Sequence, residues 1–225
     1  LATMVAALES DPQAVFATCN AVIFGSGPKV GRHVADGYAQ APIGTLATVL
    51  DRSFNVYCGT TFRRSAFERV GGFDMEMRGS EDLDLWVRLL IDGGHALYVD
   101  QVLGEYRVRP QSASANVLMM LRGEHRVYSK AERAAGGRPE AALARTLAAR
   151  VARRIEFEEA VASILAGGGA EGVQRRRGSL HEDASLLWRM ILPVWKLFPS
   201  LARPMLAYRQ RQHVIATSGH APRDR

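Results

Sequence analysis

Residues 79–90, GSEDLDLWVRLL, set Glu81, Asp82 and Asp84 among large apolar residues in one short run. A carboxylate near a helix start is suited to taking a proton from a hydroxyl, because the positive helix end keeps it ionised. Laid on a helix at about 100° per residue, residues 81–92 separate into two arcs. Glu81, Asp84, Arg88 and Asp92 form a narrow polar arc, and Leu83, Leu85, Trp86, Leu89 and Leu90 form a broad apolar one. Asp82 falls inside the apolar arc, between Leu89 and Trp86, as its only charged member. The spacing of Asp84 and Arg88 predicts a surface ion pair contributing about 0.3 kcal/mol. An inward carboxylate is costly unless something compensates it. Asp82 is therefore either satisfied by a capping hydrogen bond inside the core, or it projects into a cleft as a general base.

The elements around this helix alternate in type. Residues 1–10 read as a short helix stopped by Asp11-Pro12, and 14–24 as a buried strand. Residues 25–42 are rich in Gly and Pro and read as a loop, and 43–52 as helical. Phe54, Val56, Cys58 and Thr60 alternate, which predicts a strand over 54–62. Ser65 and Glu68 have capping-box spacing, with Gly71-Gly72 as the stop of one short helix. Ser80 is the expected N-cap of the helix over 81–92, which Gly93-Gly94 ends. HALYVD and VLGEYRV follow as two strands. Alternation of this kind indicates an α/β fold. Beyond residue 115 the pattern turns helical, with one helix opening at Pro139 and closing on the glycines at 167–169.

Three pieces in this region occur in a recognisable order: VGGFD, then EDLDLWVRL, then YRVRPQSAS, all within residues 62–114. Together they closely resemble the second half of family 2 glycosyltransferases, and LATMVAALESDP resembles the helix that follows the family's aspartate-rich metal motif. The resemblance covers roughly residues 1–115. It implies a partial GT-A fold, the Rossmann-like nucleotide-diphosphosugar transferase type, followed by a mostly α-helical C-terminal region. It also implies an inverting transfer of a sugar from a nucleotide-diphosphosugar donor to a hydroxyl of a glycan or lipid-linked acceptor.

Carried over by position, the family's catalytic base is Asp82. Glu81 would tune it by like-charge proximity or bind the acceptor. Trp86 would be a platform for a sugar ring or a core residue, and Asp74 a substrate contact or a loop cap. Arg107 would contact the diphosphate or pair with Glu105. Arg109 stands where many relatives have His; it cannot ligate a metal but can neutralise a leaving diphosphate. No metal ligand is assigned in this chain. The Mg²⁺ or Mn²⁺ expected for a full-length member belongs to the aspartate-rich motif, and that motif, with the donor-binding half, is not in these residues. The expectation is an acceptor-side half, inactive by itself. The alternative is a transferase-derived module that binds without turnover.

Composition bounds the rest. The 225 residues are 47% hydrophobic and 23% charged, with two cysteines, an ordinary globular balance that points to a reducing compartment. No apolar run is long enough to span a bilayer. The net charge of +6 is uneven: residues 1–110 hold 10 Lys/Arg against 13 Asp/Glu, and residues 111–225 hold 19 against 10. A basic second half suits an anionic membrane surface, or reflects solvated arginine-rich helix faces. No nucleic-acid-binding motif is present. Trp188, Trp195, Phe198 and Tyr208, interleaved with Arg189, Lys196, Arg203 and Arg209, make 171–212 a basic amphipathic segment that either lies in a membrane interface or packs as a helical hairpin. The expected organisation is thus 1–115 as the acceptor-side half, 116–170 as a helical extension, 171–212 as the amphipathic segment and 213–225 as a disordered tail. The expected location is cytoplasmic, at most peripheral to the inner face of the plasma membrane.

Overall fold

The computed structural model describes residues 1–37, 40–109 and 116–166, with Pro204 alone beyond them. The amphipathic segment 171–212 and the tail 213–225 otherwise lie outside the described residues. Two long strands, β1 (Ala14–Gly25) and β4 (His95–Val108), run parallel from Ala14↔His95 to Gly25↔Val108, with register shifts around Asn20. Two short strands complete a mixed sheet of order β2-β4-β1-β3. β2 (Ile43–Gly44) pairs antiparallel with β4, and β3 (Thr61–Phe62) antiparallel with β1. The helices are α1 (Ala2–Ser10), α2 (Leu46–Leu50), α3 (Arg64–Arg69), α4 (Glu81–Asp92), α5 (Val117–Ala135) and α6 (Pro139–Leu165). The chain is α/β, as its alternating pattern predicts.

Successive side chains of β1 point to opposite faces. Ala17 and Cys19 meet Met4 and Leu8 of α1 on one side. Phe16 enters the main core on the other, with Leu50, Trp86 and Leu89. That core also takes Leu121, Val127 and Tyr128 from α5, and Ala144, Leu147 and Val151 from α6. The segment expected as an extension over 116–170 therefore shares one hydrophobic core with the sheet.

Three local expectations are corrected. HALYVD and VLGEYRV form one continuous strand, bent by irregularities opposite Cys19–Ala21. Residues 54–60 are not a strand, because their backbone bonds to side chains of β1 instead of to a ladder. Tyr57 N–H donates to Thr18 Oγ1 at 2.8 Å and the Cys19 thiol donates to Gly59 O at 3.2 Å. Finally, α3 is capped at Arg63, with no side-chain capping bond, and not by a Ser65–Glu68 box. The Arg63 side chain is occupied elsewhere, donating to Leu8 O, Asp11 O and Ala14 O, which satisfies carbonyls where α1 gives way to β1. The other end of α3 closes as the glycines predict. Gly72 N–H reaches Phe67 O and Gly71 N–H reaches Glu68 O, with φ of 71° and 78°, a Schellman turn.

Candidate functional site

Helix α4 leaves the Schellman turn through Phe73–Gly79 and begins at Glu81. Ser80 occupies the N-cap position, yet its side chain makes no capping bond. It sits at φ 58°, ψ 27°, left-handed for a non-glycine residue, and its hydroxyl donates to Met120 O of α5 at 3.4 Å. Asp82 does the capping instead: its Oδ1 accepts from Leu83 N–H at 2.7 Å. Asp82 and Glu81 are both exposed. Among the described residues, no other hydrogen bond or ion pair to Asp82 is present.

The buried carboxylate is Asp84, not Asp82. Its residue is 1% exposed and both oxygens are engaged, Oδ2 by Arg88 Nε at 2.7 Å and Oδ1 by Lys130 Nζ at 2.5 Å. The expected surface pair of Asp84 and Arg88 is thus part of the interior. Arg88 spends its other nitrogens on the preceding turn, donating to Val70 O and Gly72 O at 2.7 Å each. The helical wheel misplaces these residues for a physical reason: it supposes one face of α4 to be wet. In the fold, one face meets β1 and β3 through Trp86, and the other meets α5. The exposed residues of α4 stand at its two ends, Glu81 and Asp82 at the start and Asp92 at the close.

Trp86 is a core residue, 8% exposed, with its ring 5.0 Å from Phe16 and 5.9 Å from Phe62. A sugar has no access to that ring face. Asp74 shows the loop-cap arrangement: Oδ1 accepts from Glu76 N–H at 2.9 Å, while Oδ2 accepts from Lys130 Nζ at 2.9 Å. The hydrogen bond from the Lys130 ammonium is the main cause holding the Asp74 carboxyl below its ordinary range. Lys130 therefore bridges Asp74 and Asp84, and residues 70–74, α4 and α5 meet in one charged junction. The sequence reading missed Lys130, which lies 46 residues beyond Asp84; no local pattern links the two.

A cavity of about 350 Å³ lies between α4 and α5, with Asp84, Val87, Ile91, Val127 and Ala131 among its walls. It opens on the Asp84 side of the helix, and Asp82 is not among its walls. Arg107 and Arg109 are exposed near the end of β4. Arg107 pairs in register with Phe24, and its guanidinium lies 5.9 Å from that ring, which replaces the expected pairing with Glu105. No contact joins either arginine to Glu81 or Asp82 among the described residues. Nor does any group of three His, Cys, Asp or Glu side chains there converge to hold a metal ion. No helix of the described residues is long and apolar enough to cross a membrane.

Fold and site together define an α/β protein that presents an exposed carboxylate on the first turn of a largely buried helix. No protein-family model matches the chain, and no curated protein matches it either.

Proposed function

We propose that the chain is the acceptor-side part of an inverting glycosyltransferase of GT-A type, with Asp82 as the general base. The observation that carries this reading is the exposure of Asp82, whose Oδ2 has no partner among the described residues. The carboxylate is exposed at the positive end of α4, and its other oxygen is anchored to Leu83 N–H. An anchored carboxylate with one open oxygen can accept the proton of an acceptor hydroxyl at hydrogen-bond distance. The acceptor oxygen then forms its bond to the anomeric carbon as the bond from that carbon to the nucleoside diphosphate breaks on the opposite face. The proton stays on Asp82, the electron pair leaves with the diphosphate, and the configuration inverts.

Glu81, exposed beside Asp82, is the candidate to bind acceptor hydroxyls. Arg109 lies just past the carboxyl end of β4, the edge at which open α/β sheets take ligands, and is the candidate to meet the departing diphosphate. Arg107, drawn onto Phe24, supports the same edge from one residue pair further back. The described residues offer no ligand set for Mg²⁺ or Mn²⁺, and no step above runs through a metal ion. A glycan or lipid-linked sugar is the acceptor class.

The test is Asp82→Asn in the full-length protein, assayed by nucleotide release from UDP- and GDP-sugars with a glycan acceptor. Loss of a general base lowers turnover about 10²–10⁴-fold, with the circular dichroism spectrum unchanged. Near-normal turnover would remove Asp82 from the chemistry and leave it as a first-turn cap; no turnover by the wild-type protein would instead indicate a module that binds without catalysing.

A further inference from the structure

We propose that Lys130 on α5, together with Gly123 on the same helix, is a positioning residue for Asp82; this rests on the reading of Asp82 as the base. α5 lies wholly outside residues 1–115, yet it holds the start of α4 at two separate points.

The first point is electrostatic. Asp84 is two residues from Asp82 and buried, and Lys130 supplies one of the two cations that neutralise it. The same ammonium reaches Asp74 at 2.9 Å, so one side chain ties the turn before α4 to the first turn of α4. Apolar residues of similar volume would hold such a junction at least as firmly. What an ion network adds is direction: each bond has a required distance and angle, so the helix start is fixed in rotation as well as in depth.

The second point is steric. Gly123 lets α5 close on the backbone of Gly79, where a Cβ at position 123 would lie 2.2 Å from Gly79 O. Immediately after that contact comes Ser80, buried and left-handed at φ 58°. A non-glycine residue in that region persists only where its surroundings impose it, and here they are α5: Gly123 against Gly79, and Met120 O accepting from Ser80 Oγ. Ser80 O in turn accepts from Asp84 N–H at 3.0 Å, the bond that opens the helix. Strain at Ser80 and charge at Asp84 thus bracket Asp82 on both sides, and α5 supports both.

The experiment uses the full-length protein with Lys130→Met, Lys130→Arg and Gly123→Ala. Amide hydrogen exchange reads the positioning itself, without need of a donor. Lys130→Met and Gly123→Ala are expected to speed exchange at Leu83 and Asp84 at least about tenfold while Val151 and Val161 of α6 keep their protection, and Lys130→Arg to restore it. Unchanged exchange at Leu83 and Asp84, or acceleration spread evenly through α6, overturns the proposal. In the transfer assay, Lys130→Met is expected to lower kcat about tenfold at unchanged donor KM, with rescue by Lys130→Arg. A matched rise in KM with unchanged kcat also overturns it. Should the wild-type chain and Asp82→Asn behave alike in transfer while Leu83 and Asp84 loosen as expected, the base assignment fails and the positioning by α5 stands.

Discussion

The seam between α4 and α5 and the far half of the β1–β4 ribbon invert each other's usual chemistry. In the seam, Asp84 is buried with Arg88 and Lys130 on its two oxygens. In the ribbon, Phe24, Val102 and Leu103 are apolar and exposed, and β4 is open to solvent over most of its length from Asp100 onward. The difference follows from how many layers cover each region. α4 is packed on two sides, so Asp84 of its polar arc is taken inside and finds counter-charges, while Glu81 and Asp92 at its ends stay exposed. The sheet has α1 on one face and the main core on the other over its first half, whereas in its second half the 30–34 segment bonds to β1, keeping Ala21 and Ile23 buried, and β4 stays open. Polarity alone does not place a residue inside or outside; coverage does.

The comparison breaks first at Asp84. Asp84→Ala strips Arg88 of its carboxylate and leaves Lys130 with Asp74 alone, and removing one partner of a buried pair costs about 3–5 kcal/mol. Urea unfolding should read that loss, and a loss below about 1 kcal/mol would mean that water reaches the seam.

A pH experiment sharpens the same point. The hydrogen bond from Lys130 depresses the Asp74 carboxyl in the folded state. Its stabilising contribution is therefore fully present above the ordinary carboxylate range and is lost as pH falls through the lowered folded value. Asp11, depressed mainly by its hydrogen bond to His95, contributes with the same sign. Lys130→Met removes the main cause at Asp74, keeps the bond from Glu76 N–H and leaves the Asp11 part, so the acid limb of the stability curve should become shallower without vanishing. An acid limb identical to wild type would place Lys130 elsewhere in solution.

Smaller effects are expected at the rim. Arg126 pairs with Glu76 at 2.8 Å, but its side chain is 44% exposed and that of Glu76 82%. Arg126→Ala should cost under about 1 kcal/mol, and still less in high salt. In the ribbon, Val102→Thr should change stability by no more than about 0.5 kcal/mol. A larger loss in thermal unfolding would show that something covers Val102 in solution.

Much of the fold was legible because it depends on local signals. Asp11-Pro12 stops α1, the β-rich run at 14–24 gives β1, Gly71-Gly72 closes α3 and Pro139 opens α6. Of the strand expected over 54–62, only Thr61–Phe62 pairs, as β3. The alternation before it is genuine, but Thr18 and Cys19, some forty residues away, engage the backbone at Tyr57 and Gly59 in place of a ladder. Of the site, the first-turn placement of Glu81 and Asp82 was readable, and the burial was reversed.

Order along the chain determined where α4 begins, which carboxylates stand on its first turn and which residues form its two arcs. Those facts need only helical periodicity and the conformational limits of Gly and Pro. Tertiary structure alone decided that Asp84 goes inside and Asp82 stays out, because burial depends on what lies opposite a residue. Lys130, Gly123 and Phe16 reach α4 or the turn before it from distant parts of the chain, and no pattern internal to residues 79–90 encodes their arrival.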